Sequence, residues 1–137
     1  MGLQLHVLRA ASDSDFDAAF QTIGDLHIGA LFIGTDPFFN DRSTQLATMA
    51  LHQAIPAIYQ YRDFAAAGGL LSYGASYTEP MRLVGAYTGR VLKGEKPSDL
   101  PVQQSAKVEL FINLRTAKTL GLTVPQTFLV QANEVIE

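Results

Sequence analysis

The sequence predicts an α/β fold, a three-layer sandwich around a mainly parallel sheet, as a single domain over residues 1–137. Three observations carry this reading. Short apolar runs alternate along the chain with segments of helical periodicity, an order that favours a parallel sheet with helices on both faces. The run Ala30-Leu31-Phe32-Ile33 is apolar without a break and stops sharply at Gly34, as a strand buried on both faces does. With 137 residues, 47% of them hydrophobic and 17% charged, the chain can enclose a core and is not of disordered composition.

Each element follows from its own pattern. Leu3 to Leu8 alternates, with Leu3, Leu5 and Val7 on one side and Gln4 and His6 on the other, which predicts a strand with His6 solvated. Ser12 and Asp15 resemble a capping box ahead of Phe16, Ala19, Phe20 and Ile23, the apolar face of a first helix that Gly24 is placed to end. The strand Ala30 to Ile33 then turns through Gly34, Thr35, Asp36 and Pro37. A second helix is expected over Asn40 to Gln53, with Leu46, Met49 and Ala50 inward. Ile55 to Tyr59 is the next strand, with Pro56 at its start, where a missing N–H is tolerated.

Ala65 to Ala67 allow a short helical turn that Gly68-Gly69 stop, and Leu70 to Tyr73 is a fourth strand ended by Gly74. Ser76 or Thr78 can cap a third helix carrying Met81, Val84, Tyr87, Val91 and Leu92, in which Gly85 and Gly89 suggest close approach of a neighbouring backbone. A polar connection, Glu95 to Pro101, leads to an alternating strand over Lys107 to Asn113. Arg115 to Leu120 is a short helix closed by Gly121, and the tail from Val124 is expected to pack back on the body.

Composition excludes several functions. A net charge of −3 leaves no basic footprint for nucleic acid, and the absence of cysteine removes disulfides and thiolate chemistry. His6, His27 and His52 lie far apart, without metal-ligand spacing. There is neither a dinucleotide-binding nor a P-loop glycine pattern. Leu70-Leu71-Ser72-Tyr73-Gly74 approaches a nucleophile elbow, but Leu70 stands where that turn needs glycine and no histidine follows. The chain therefore reads as a binding protein rather than an enzyme, with no cofactor and no metal.

The chemistry left is at the predicted strand ends, where open α/β sheets hold ligands. Thr35, Asp36 and Phe38 follow the central strand. Tyr61, Arg62 and Asp63 follow the next, and Ser72 and Tyr73 belong to the fourth. Such a set suits a zwitterion, with its ammonium on Asp36, its carboxylate on Arg62 or on free N–H groups near Asn40 to Ser43, and its side chain against the rings. The competing readings of Asp36 are a turn residue ahead of Pro37, and a metal or phospho-acceptor site in a flavodoxin-like regulatory domain.

Three stretches carry a family resemblance. They are A-L-F-I-G-T-D-P-F-F, I-P-A-I-Y-Q-Y-R-D-F-A-A-A-G-G-L-L-S-Y-G, and R-V-L-K-G-E-K-P-S-D-L-P-V-Q-Q together with K-V-E-L-F-I-N-L-R-T-A-K-T-L-G-L. Together they resemble the C-terminal part of ABC-transporter substrate-binding proteins related to tryptophan and tyrosine binders. The resemblance implies a type 1 periplasmic-binding-protein lobe, one of two that clamp a small amino-acid-like solute, aromatic or branched, for delivery to an ABC permease. It implies a periplasmic protein, although Met1 to Leu5 opens no signal peptide. It places the family's ligand loop on Asp36, the following loop on Tyr61, Arg62 and Asp63, and the crossing on Ser72, Tyr73 and Gly74. The family often has asparagine after its Thr-Asp pair, where this chain has Pro37. On this reading the first lobe and the opening strand and helix of the second are missing, from a cloned domain or a truncation, and a homodimer forms through the uncovered surface.

Overall fold

A computed structural model of the chain describes residues 2–103 and 107–137. Gln104, which ends one of the stretches quoted above, lies outside them. The fold is mixed α/β. Its sheet has five strands in the order of the chain, β1 (Leu31–Phe32), β2 (Ala57–Tyr59), β3 (Leu71–Ala75), β4 (Val108–Asn113) and β5 (Glu134–Ile136). The helices are α1 (Asp13–Asp25), α2 (Pro37–Asn40), α3 (Ser43–His52), α4 (Arg62–Ala66), α5 (Thr78–Leu92), α6 (Leu114–Thr119) and α7 (Gln126–Gln131).

The strands β1, β2 and β3 are parallel, β4 is antiparallel to β3, and β5 is parallel to β4. The reversal at β4 departs from the order of elements in the sequence. After β3 the chain leaves the sheet as α5 and a long connection, then re-enters at the end it left. Val108 pairs with Ala75, and Ser76 N–H donates to Lys107 O at 2.9 Å. A strand that starts where its neighbour stops must run back along it.

Register sorts the two faces. Leu31, Ala57, Tyr59, Ser72 and Phe111 fall on one side, and Phe32, Ile58, Leu71 and Ile112 on the other. The first face holds the core, where Phe16, Phe20 and Ile23 of α1, Leu46, Ala47 and Ala50 of α3 and Phe64 of α4 pack with Ile33, Ala57 and Tyr59. The second face is covered at Leu71 and Ile112 by residues 122–125 and Phe128. At its β1 edge it is open, and Phe32 is 75% exposed.

Local chemistry accounts for the joints. Asp15 Oδ2 accepts the N–H groups of Ala11 and Ser12 at 2.8 and 2.9 Å, the acidic half of the predicted capping box. The expected second helix is divided into α2 and α3, because Asp36 starts a helical turn at Pro37 and the chain turns again at Arg42. Asn113 at the end of β4 joins three elements. Its Nδ2 donates to Ala65 O at 2.9 Å and its Oδ1 accepts Thr116 N–H at 3.1 Å, while Thr116 Oγ1 donates to Gly68 O at 2.8 Å. The Asn-Leu-x-Thr motif is thus a buried polar tie between α4, the sheet and α6, of the kind a core tolerates only when its partners are satisfied.

Two expectations fail. Leu3 to Leu8 is not a strand. Among the described residues it has no ladder partner, and Leu3 and Leu5 are each 86% exposed, so its alternating apolar face has nothing there to lie against. Gly85 and Gly89 approach no neighbour, since a Cβ at either would meet nothing within 4 Å. No residue of α5 is buried, which leaves its apolar side without a cover among the described residues.

Candidate functional site

A cleft of about 620 Å³ opens beyond the carboxyl ends of β2 and β3, a size suited to a small molecule. Two neighbouring turns build it. After β2 the chain presents Gln60, Tyr61, Arg62 and Asp63, the last two in the first turn of α4. After β3 it presents Ala75, Tyr77 and Thr78, where α5 begins. Pro37, Asn40 and Asp41 close one wall from α2, and Glu109 and Phe111 of β4 close another. Glu109 reaches the cleft because its strand is antiparallel and pairs it with Gly74.

The polar groups there are largely committed. Arg62 donates through Nε and an Nη to both carboxylate oxygens of Glu134, each at 2.7 Å. That bidentate pair raises the guanidinium pKa further and holds Glu134 below the ordinary carboxylate range. Lys107 Nζ lies 2.7 Å from Glu109 Oε1, and its hydrogen bond is the main cause that lowers the Glu109 pKa. Gln60 Oε1 accepts from Thr35 Oγ1, whereas Gln60 Nε2 is buried with no acceptor among the described residues. Tyr61 and Tyr77 meet edge to face at 5.6 Å, and Tyr61 meets Tyr59 likewise at 6.1 Å.

The sequence singled out eight residues, and the structure separates them. Tyr61, Arg62 and Asp63 line the cleft. Thr35 is beside it through its bond to Gln60. Asp36 caps α2, its Oδ1 accepting Phe38 N–H at 2.8 Å. Phe38 packs with Phe16 and Phe39 against the core and carries the Arg42 guanidinium 3.9 Å above its ring. Ser72 is fully buried, and its hydroxyl donates to Tyr61 O at 2.6 Å, fixing the turn that carries the cleft residues. Tyr73 points to the opposite face of β3 and is 58% exposed. Arg62 lines the cleft with two of its N–H groups engaged by Glu134, a carboxylate of this chain.

Sequence reasoning passed over Gln60, Tyr77, Thr78, Glu109 and Phe111. A signal existed for the last two. Alternation along β4 sets Glu109, Phe111 and Asn113 apart from Val108, Leu110 and Ile112, so a polar residue stood on the same side as two buried ones. Gln60 is positioned by a close backbone approach. A Cβ on Gly74 would lie 2.7 Å from Gln60 O, so β3 can pair here only with glycine.

Among solved structures, the chain is similar to an ABC domain in complex with L-Trp from Streptococcus pneumonia. The TM-score is 0.83 and the identity 23%, over 98% of this chain and 46% of that one. It is similar to a conserved domain protein from Vibrio cholerae O1 biovar eltor (TM-score 0.76, 23% identity, 89% of this chain and 41% of that one). A ligand-free, open substrate-binding protein with adhesive properties from Clostridium difficile matches at TM-score 0.56 and 19% identity, over 93% and 42% of the two chains. The chain thus spans less than half the length of each of these structures, and at these identities the likeness is one of fold. Among curated proteins no sequence matches. The family described as ABC transporter substrate binding protein matches residues 1–136, nearly the whole chain, and the protein belongs to that family.

Proposed function

We propose that the chain is the ligand-holding part of the substrate-binding component of an ABC importer, and that it takes a small amino-acid-like solute, aromatic or branched, in the cleft beyond β2 and β3. The observation that carries this reading is the cleft itself, which sets aromatic rings and carboxylates side by side at the carboxyl ends of parallel strands. Rings and carboxylates suit an amine with an apolar body. The L-Trp named for one structural neighbour accords with it. A second lobe would close the cleft from its open side, an ABC permease would receive the solute, and the site of action would be the periplasm. No step of bond making is required, so the role is binding rather than catalysis.

The test is a thermal-shift titration with free L-amino acids, aromatic, branched and acidic. Aromatic ones should stabilise the chain, acidic ones should not, and Tyr61→Ala should remove the shift. Stabilisation by acidic amino acids alone would sink this reading.

A further inference from the structure

We propose that Glu134 of β5 is a positioning residue for the solute, holding Arg62 so that the guanidinium edge it leaves open receives the solute's carboxylate. The inference rests on the reading of the cleft as the solute site and assigns its anion-binding part.

The first observation is how the guanidinium is shared. Arg62 lines the cleft, whereas Glu134 does not. Glu134 occupies the side-on edge, taking Nε and Nη2 at 2.7 Å each. A guanidinium carries five N–H groups in a rigid planar fork. Three therefore remain, two on Nη1 and one on Nη2, and none has a partner among the described residues. They include the end-on edge, a second pair of parallel donors that matches a carboxylate. With the side-on edge closed, the end-on edge is what Arg62 can offer a solute.

The second observation is that both ends of the clasp are fixed. α4 begins at Arg62 and buries Phe64 and Ala65 completely. β5 follows Asn133, which is clamped to β4. Asn133 N–H donates to Leu110 O and Leu110 N–H donates to Asn133 Oδ1, each at 2.8 Å. Glu134 then lies in register with Phe111, a wall of the cleft. Ion pairs between loose exposed side chains order little, but one anchored at both backbones restricts the rotamers of Arg62. A carboxylate then meets a side chain that is already ordered.

The third is competition. Asp63 follows Arg62 directly in the chain and also attracts its guanidinium. Without Glu134, the fork has a second carboxylate to turn to. Asp41 and Asp63 also line the cleft, which puts an anion without an amine at a disadvantage. The carboxylate that fits is therefore that of a zwitterion, an amino acid rather than a simple acid.

Two probes, L-phenylalanine and phenethylamine, share ring and amine and differ in the carboxylate. Calorimetric titration of the whole chain should show phenylalanine binding more tightly by roughly tenfold, the scale of a hydrogen bond to a charged group. Arg62→Leu should erase that ratio. Arg62→Lys, which keeps the charge but not the fork, should retain little of it and covers a leucine variant that fails to fold. Glu134→Gln decides the positioning role. It should lower the ratio by roughly threefold, the scale of ordering one long side chain, whereas a merely structural role would weaken both probes alike. Arg62→Glu combined with Glu134→Arg restores the tie between α4 and β5 and should recover Tm without recovering the ratio. A ratio that Glu134→Gln leaves unchanged or raises would mean that Glu134 only competes for Arg62, and would overturn the inference while the solute site stands. Phenethylamine binding as tightly as phenylalanine to the parent protein would do the same. Binding of neither would overturn the inference and the site together.

Discussion

A charged side chain at the end of a strand is first claimed by partners within the fold. Asp36 and Arg62 are the two charges that sequence reasoning would choose, and both are engaged within the chain. Asp36 caps α2, and Arg62 is clasped by Glu134, seventy-two residues away. No spacing rule could reveal that second pairing, because it depends on where β5 lands. Asp36 was open to reading as a turn residue from Pro37 alone. Tyr59 shows the same logic for a neutral group. It is 1% exposed, and its hydroxyl bonds Asn40 Oδ1 and, at 3.4 Å, Asp36 O. Burial above all pushes its phenol up to about 12. The folded protein therefore holds this proton where the unfolded chain, near pH 10, has begun to lose it. Stability should fall between about pH 10 and pH 12 as the folded state alone keeps the proton. Tyr59→Phe should flatten that fall. It should also lower Tm at neutral pH by roughly 3–5 °C, the equivalent of about 1 kcal/mol for one hydrogen bond in a domain of this size. Ultraviolet titration at high pH, with melts across the same range, reads both.

At the scale of elements, local pattern was a good guide wherever one face of a segment had something to bury it. α1, α3 and the β1–β3 strands lie close to where periodicity put them, because Phe16, Phe20, Leu46 and Tyr59 all meet one core. The pattern misled in three places. Leu3 to Leu8 has the right alternation and no partner. β4 has the right alternation, but nothing in its own residues sets its direction, which depends on the excursion through α5. Gly85 and Gly89 have the spacing of a close helix contact and make none, whereas Gly74, which looked like a plain strand end, is where two backbones nearly touch. The contrast gives a paired prediction. Gly74→Ala must push a methyl into Gln60 O and should destabilise by about 1–3 kcal/mol, as overpacking does. It should also disturb the cleft turn. Gly85→Ala meets open space within a helix and should stabilise by up to about 1 kcal/mol. Urea melts of both variants settle it, and a Gly74→Ala protein as stable as its parent would mean that β2 and β3 can separate freely at this point.

The whole molecule has a core on one face of its sheet and too little cover elsewhere. Phe32 stands 75% exposed on the open face at the β1 edge, Leu3, Leu5 and Val7 project from an unpaired extended segment, and Val84 and Leu92 of α5 are 59% and 82% exposed. Scattered exposed apolar residues are ordinary, but these are concentrated on a sheet edge, a strand-like segment and one helix, the kinds of surface that pair with another chain. The structural neighbours are each more than twice as long as this chain. Alone at high concentration, the chain should cover these surfaces with a second copy. At about 25 cal/mol per Å² of apolar surface removed from water, set against roughly 4–15 kcal/mol of lost freedom on association, a few such side chains support a weak dimer that only high concentration populates. Light scattering coupled to size exclusion, run from micromolar to near-millimolar protein, should show mass rising from about 15 kDa towards twice that value. Phe32→Asp combined with Leu5→Asp should hold the chain monomeric with little change in Tm, because neither side chain belongs to the core. A monomer at every concentration would mean that these surfaces are too scattered to act as one. A dimer that persists in the double variant would move the interface to α5, where Val84→Asp is the next substitution to make.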